Sequence, residues 1–161
     1  MTGSDTTIRP IEPADCDAVL ALNQSALDGV GPLDTNRLQW IVGLSDRALV
    51  ADVDGDIGGF VITMPSGTAY DSPNYAWFEE RFDNHCYLDR IVVAPTHRRM
   101  GIASQLYDEI ERTLPVTLEV YAEPPNGPSL AFHAVRGYEE IGRLPQSNGK
   151  VVALFVKRAE P

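Results

Sequence analysis

Residues 89–104, Asp89-Arg-Ile-Val-Val-Ala-Pro-Thr-His-Arg-Arg-Met-Gly-Ile-Ala-Ser104, carry an apolar strand through a proline turn into a basic, glycine-marked helix start. A helix over 101–114 begins with several backbone N–H groups that lack intrahelical partners. Arg98, Arg99 and the positive end of the helix dipole raise the potential there, and Gly101 lets a phosphate come close to the backbone. The stretch reads as a pyrophosphate cradle set between a strand and a helix.

Outward from this stretch, the remaining elements follow from periodicity and punctuation. Residues 8–11 read as a short strand, and Pro13-Ala-Asp-Cys-Asp17 opens a helix that runs through Val19, Leu20, Leu22 and Leu27 until Gly29–Pro32 breaks it. Asp34 or Thr35 can cap a second helix carrying Leu38, Trp40, Ile41 and Leu44. Arg47–Val53 and residues 57–64 are β-rich, and Asp54-Gly55-Asp56 between them signals a hairpin, because Asp and Gly tolerate positive φ. Residues 65–84 depart from this rhythm and read as a loop followed by a short helix from about Asn74.

Cys86–Val93 and residues 116–121 are strands joined by the helix over 101–114, a connection long enough to set them parallel. Glu123-Pro-Pro-Asn126 then interrupts, and Asn126 or Ser129 starts a helix that Gly137 ends. Residues 138–142 and Val151–Lys157 supply two final strands. The fold class is α+β: a central mixed, mostly antiparallel sheet of six to seven strands flanked by helices. With 161 residues, 43% of them hydrophobic, the chain suits one domain over residues 1–161.

A formal charge of −10 disfavours nucleic acid as a partner, since binding there depends on neutralising phosphates. No apolar run approaches the ~18 to 20 residues of a membrane span, so no membrane association is expected. The start, Met-Thr-Gly-Ser-Asp-Thr-Thr7, has no basic segment followed by an apolar one, and the expected location is cytoplasmic. Cys16 and Cys86 lie far apart without metal-ligand spacing; they read as small buried hydrophobes, and no metal is expected.

The motif Val93-x-Pro95-x-x-Arg98-x-x-Gly101-x-Ala103 resembles the acyl-CoA signature of the GCN5-related N-acetyltransferases, usually Val-x-Pro-x-x-Arg/Gln-x-x-Gly-x-Gly/Ala. Farther on, Asn126-x-x-Ser129-x-x-Phe132-His133-x-x-x-Gly137-Tyr138 resembles the family's second signature, Asn-x-x-Ala-x-x-Phe/Leu-Tyr-x-x-x-Gly-Phe. The order of elements is similar as well, so the resemblance covers essentially the whole chain. It implies acetyl-CoA or coenzyme A as cofactor, with the pyrophosphate on the amides of Arg99, Met100, Gly101, Ile102, Ala103 and Ser104, beside Arg98. It further implies that Ile91, Val92 and Val93 offer a splayed strand edge to the acyl and pantetheine groups, and that Asn126 and Ser129 flank the pantetheine arm. Asn126 also reads simply as a helix cap.

The chain departs from the family at position 133, where a Tyr usually protonates the leaving thiolate and His133 stands instead. Imidazolium is the stronger acid, so a neighbouring carboxylate would make His133 an effective donor near the cofactor sulfur; a partly buried histidine bonded to a carbonyl is the plainer reading. An attacking amine must lose a proton, and Asp89, Glu119 and Glu123 are the candidate bases. Spacing does not choose among them. Tyr87 and Tyr121 stand as alternative acids, as aromatic walls, or as core.

The segment Tyr70-Asp71-Ser72-Pro73-Asn74-Tyr75-Ala76-Trp77-Phe78 reads as a lid or acceptor wall in which Tyr70, Tyr75 and Trp77 enclose a cationic amine and Asp71 pairs with it. The alternative is a helix using Trp77 and Phe78 to cover the sheet or a dimer interface. The leading function is an N-acetyltransferase acting on a primary amine, of a small molecule or a peptide, by direct attack. The runner-up is a CoA-binding regulatory or interaction module without efficient turnover. A homodimer is compatible with the resemblance. A Rossmann nucleotide binder would need an early Gly-x-Gly-x-x-Gly, which the sequence lacks.

Overall fold

Strand alternation and helix caps account for most of the element boundaries in the structure, a computed structural model that describes residues 5–159. The first strand, β1 (Thr6–Pro10), leads through a 3₁₀ turn at Pro13–Asp15 into α1 (Cys16–Gln24) and then α2 (Thr35–Leu44). Asp34 caps α2 by accepting from the Arg37 amide at 2.7 Å. The first helix is shorter than the sequence suggests, and Leu27 lies beyond it, 48% exposed. Side-chain bonds to backbone win there: Asn23 donates to the Gly31 carbonyl at 2.9 Å, and Gln24 accepts from the Leu33 amide at 3.0 Å, folding residues 25–31 into a turn segment.

A hairpin of β2 (Arg47–Val53) and β3 (Asp56–Pro65) follows, turned by Asp54 and Gly55 at φ 52° and 93°. Next come α3 (Pro73–Glu79), β4 (Cys86–Val93), α4 (Ile102–Ile110), β5 (Val116–Glu123), α5 (Gly127–Arg136), β6 (Glu139–Pro145) and β7 (Val151–Lys157). The fourth helix stops at Ile110 rather than at Leu114. Leu114 precedes a proline, which disfavours helical backbone, and the Pro115 carbonyl instead accepts from the Cys86 amide at 2.8 Å.

The seven strands form one sheet in the order β1-β2-β3-β4-β5-β7-β6. Every pairing is antiparallel except β4 with β5. That parallel pair is bridged only at Cys86↔Val116 and Tyr87↔Thr117, after which the strands diverge. The Ala94 amide bonds the Gly58 carbonyl at 2.8 Å, so alternation turns the main chain of Val92 toward β3 and that of Ile91 and Val93 toward the gap.

Helices cover both faces. On one, Ile102, Leu106, Tyr107 and Ile110 of α4 pack on Leu118, Val120 and Phe155; on the other, Val19, Leu38, Ile41 and Phe78 pack on Phe60, Ile62 and Leu154. Each large apolar side chain so buried contributes roughly 1.5–3 kcal/mol by leaving water. Gly59 sets the approach of α4 and β4, since a Cβ there would fall 2.8 Å from the Val92 carbonyl oxygen and 3.2 Å from Ile102 Cγ2. Among the described residues, no helix is long and apolar enough to cross a membrane.

Candidate active site

The divergence of β4 and β5 opens a cleft of about 490 Å³. Its floor is Ile91 and Val93 of β4, Leu118 to Tyr121 of β5, and Val152 of β7. Arg98 stands at one end, before α4. Tyr107, Asn126, Ser129 and His133 form a wall, and Asp89, Asn74, Gln146 and the 25–31 segment close the other end.

At the Arg98 end, Gly101 is the N-cap of α4 at φ 76° and supplies no side-chain cap. The helix's first bond runs from the Gln105 amide to the Gly101 carbonyl at 3.0 Å, which leaves the amides of Ile102, Ala103 and Ser104 without intrahelical acceptors. Arg99 is also left-handed, at φ 66°, so two left-handed residues flank Met100 just before the helix. Arg98, Arg99, Met100 and Ser104 are exposed, whereas the Ile102 side chain is buried and anchors the helix. A Cβ at Gly101 would meet nothing within 4 Å, so space for a ligand lies against the backbone. The donor set, the open space and the splayed strand edge fit a pyrophosphate with an extended amide-bearing arm. Val92 stands apart from this group: its side chain is buried in the core under α1 and α2, and its main chain serves β3.

Asn126 both caps α5, accepting from the Ser129 amide at 3.3 Å, and lines the cleft. One turn on, His133 is buried with both ring nitrogens engaged. Nδ1 lies 2.7 Å from the Ser129 carbonyl oxygen, which can only accept, so Nδ1 carries the proton and Nε2 accepts from the Tyr107 hydroxyl at 2.6 Å. Burial lowers the pKa of His133, outweighing the Ser129 carbonyl bond and the more distant Glu111. The expectation of a carboxylate-supported imidazolium is therefore corrected: among the described residues no carboxylate bonds this ring, burial favours its neutral form, and its Nδ1 proton is directed to the Ser129 carbonyl rather than into the cleft.

The candidate bases separate sharply. Glu119 lines the cleft; its Oε1 accepts from the Tyr87 hydroxyl at 2.7 Å and from Asn74 Nδ2 at 3.1 Å. Burial holds this carboxyl up at about 7, against the Tyr87 and Asn74 bonds that favour its anion; nearby Asp89 adds to the rise. Asp89 also faces the cleft but is spent. It is the extra residue of a β-bulge, since Ile62 pairs with Arg90 and Thr63 with Leu88. One of its oxygens accepts from Tyr70 and the other from Arg90 Nε at 2.7 Å. Glu123 is exposed and lies 3.9 Å from Arg143.

The aromatic segment is not a lid. Tyr75 and Phe78 are buried in the core beneath α3, and the Tyr75 hydroxyl donates to the Pro65 carbonyl at 2.6 Å. Trp77 lies over Gly142 of β6, where a Cβ would come 2.7 Å from its ring, and carries the Arg81 guanidinium 3.7 Å from a ring centroid. Asp71 holds Arg37 through bonds of 2.8 and 2.7 Å, so it is not free for a substrate ammonium. Tyr70 and Tyr87 are tied to Asp89 and Glu119 and stand behind the cleft rather than in it. Apolar enclosure by the sheet outcompetes a projecting lid for side chains of this size. Of the aromatic candidates, Tyr121 alone lines the cleft, its hydroxyl accepting from Asn148 at 3.3 Å.

Sequence reasoning missed Tyr107, Gln146 and the 25–31 segment, and it placed Asn74 within the acceptor-wall segment without a role of its own. Tyr107 falls on the apolar face of α4 and reads as core; Asn74 reads as part of a helix start and Gln146 as a polar turn residue. The 25–31 segment is held against β4 by Arg90, whose Nη1 donates to Asn23 Oδ1 and to the Gly31 carbonyl, both at 3.0 Å.

Ard1 from Thermoplasma volcanium has a similar structure, with a TM-score of 0.77 and 19% identity over 97% of this chain and 99% of that one. Arabidopsis thaliana NAA60, solved in complex with acetyl-CoA, gives 0.73 and 21% identity over 96% of this chain and 99% of that one. YncA from Salmonella typhimurium, solved with its cofactor acetyl-CoA, gives 0.67 and 21% over 96% and 94%. These likenesses establish the fold. In sequence, residues 19–138 match the model of the acetyltransferase (GNAT) family, which is most of the chain. This protein belongs to that family of acetyltransferases.

Proposed function

We propose that the protein transfers acetyl from acetyl-CoA to a primary amine by direct attack, with Glu119 as the base. The observation that carries this reading is the meeting, along one cleft, of Arg98 just before the uncapped start of α4, the splayed edge of β4 and a half-buried carboxyl held at about 7. Acetyl-CoA, when bound, supplies a thioester carbonyl open to a nucleophile. The amides of Ile102 to Ser104 and the guanidinium of Arg98 would hold its phosphates. Main-chain groups of Ile91 and Val93 would orient the arm and polarise the carbonyl.

Glu119 Oε1 is taken by Tyr87 and Asn74, and among the described residues Oε2 accepts only from the same Tyr87 hydroxyl at 2.8 Å. A hydroxyl has one proton, so Oε2 keeps lone pairs for the amine or for an intervening water. A base that is about half ionised near pH 7 is well matched to proton abstraction. The acceptor would enter between Asn74, Tyr121, Gln146 and the 25–31 segment. His133 and Tyr107 would wall the sulfur end as a neutral pair, leaving the thiolate to take its proton from water. The missing acid also suits the second reading, a CoA-binding module with little turnover.

The deciding experiment is acetyl-CoA consumption across a panel of small amines and peptide N-termini, with products identified by mass spectrometry. Amine-dependent release of free thiol with a product gain of one acetyl group supports transfer. Tight acetyl-CoA binding without consumption on any amine supports the module instead.

A further inference from the structure

The polarity of the side chains around Glu119 is set from outside the cleft. Gln146, in the turn between β6 and β7, has its amide oriented by the main chain: Nε2 donates to the Leu144 carbonyl at 3.1 Å, and a flipped amide would set two oxygens against each other. The same Nε2 donates to Asn74 Oδ1 at 3.0 Å, while Asn74 Nδ2 donates back to Gln146 Oε1 at 3.2 Å. With its oxygen thus assigned, Asn74 can only turn Nδ2 toward Glu119, where it bonds Oε1 at 3.1 Å. The residues belong to three elements far apart in sequence, and Asn74 is itself buried, 7% exposed.

We propose that Gln146 and Asn74 are positioning residues for the acetyl transfer: their reciprocal amide pair fixes which atom Asn74 presents to Glu119, and thereby orients the base and stabilises its ionised form. The inference rests on the reading of Glu119 as the base. Among the described residues no hydrogen bond joins Gln146 to Glu119, so Gln146 acts through Asn74. The titratable groups that face Glu119 are Tyr87 and Asp89 of β4, the latter paired with Arg90; α3 contributes only the neutral Asn74.

Sign and size follow from the bond. An N–H that donates to a carboxylate favours the anion, so its loss moves the carboxyl midpoint up from about 7. The expected rise is about one pH unit, since part of a charge-assisted bond is recovered from water. Gln146→Met keeps the side chain's length while removing its polarity, and Asn74→Leu removes the donor itself. Each would be followed by carbon-detected NMR titration of Glu119 in the free protein and by the pH dependence of kcat/KM.

The proposal expects the Glu119 midpoint to rise in both variants, with the acidic limb of the rate profile rising by the same amount. An unchanged midpoint in folded Gln146→Met and Asn74→Leu protein overturns it. A midpoint that moves while the acidic limb stays in place overturns Glu119 as the base and leaves the amide pair's effect on the carboxyl standing. The NMR spectrum reports folding independently of activity.

Discussion

The Tyr107 hydroxyl donates to Nε2 of His133 across 2.6 Å, joining α4 to α5 at the wall of the cleft. The bond makes His133 an acceptor where the family's usual tyrosine offers a proton. Nitrogen-15 NMR at pH 7 is expected to show the neutral Nδ1–H tautomer. Tyr107→Phe would leave Nε2 buried without a donor, a loss of about 1–3 kcal/mol in urea unfolding.

The His133 pKa is below 6.5 in the folded protein, so the unfolded chain takes up its proton first as pH falls. Stability from this residue is therefore lost from about pH 6.5 downward, until the folded pKa is reached. Urea midpoints at pH 7.5 and 5.5 should differ more for the wild type than for His133→Phe. No rise in kcat is expected at acid pH; a rise that vanished in His133→Phe would restore the histidine as proton donor.

Glu119 has the opposite linkage. Its folded carboxyl is raised from 4.5 to about 7, so its contribution to stability is complete below pH 4.5 and is lost as pH rises through 7. Glu119→Gln should gain stability relative to the wild type at pH 8. The same variant should lose about 10²- to 10⁴-fold in kcat with acetyl-CoA affinity unchanged, the usual range for a general base. Calorimetric binding beside steady-state kinetics checks both.

Arg90 is a buried cation with three partners, Asp89, Asn23 and Gly31. Arg90→Met would strand the Asp89 carboxylate, 6% exposed, and the Asn23 amide oxygen. A loss of roughly 3–5 kcal/mol is expected, as for other buried pairs broken from one side. Adding Asp89→Asn to Arg90→Met should recover part of it, as measured by denaturant titration.

Gly101 holds φ 76° with open space around its absent Cβ, so substitution there is penalised by backbone conformation alone. Gly101→Ala should cost about 1 kcal/mol in stability. If the loop amides cradle the pyrophosphate, acetyl-CoA affinity should fall with it, and Arg98→Ala should weaken binding while leaving stability unchanged. Thermal melts with and without coenzyme A separate the two effects.

The elements nearest the opening stretch were legible because local physics decides them. The strand Cys86–Val93, the glycine-marked helix start at Gly101, and the caps, read as Asp34 or Thr35 and as Asn126 or Ser129 and falling at Asp34 and Asn126, depend on neighbours within a few residues. The lid reading of Asp71 and Trp77 failed for the opposite reason, while the alternative, a helix whose Trp77 covers the sheet, is what the fold shows. A carboxylate or an indole in a polar, proline-rich segment looks available until Arg37 and Gly142, remote in sequence, are seen to occupy it.

By itself the sequence determined the family resemblance, the order of strands and helices, and the charge and glycine pattern of the cradle, since these are written in spacing and local conformational preference. Only the tertiary structure decided which of the candidate acids lines the cleft with its pKa raised and which partners His133 holds. Burial and hydrogen-bond partners set proton affinity, and these come from chain segments the fold alone brings together: Tyr87 and Asn74 around Glu119, Tyr107 against His133.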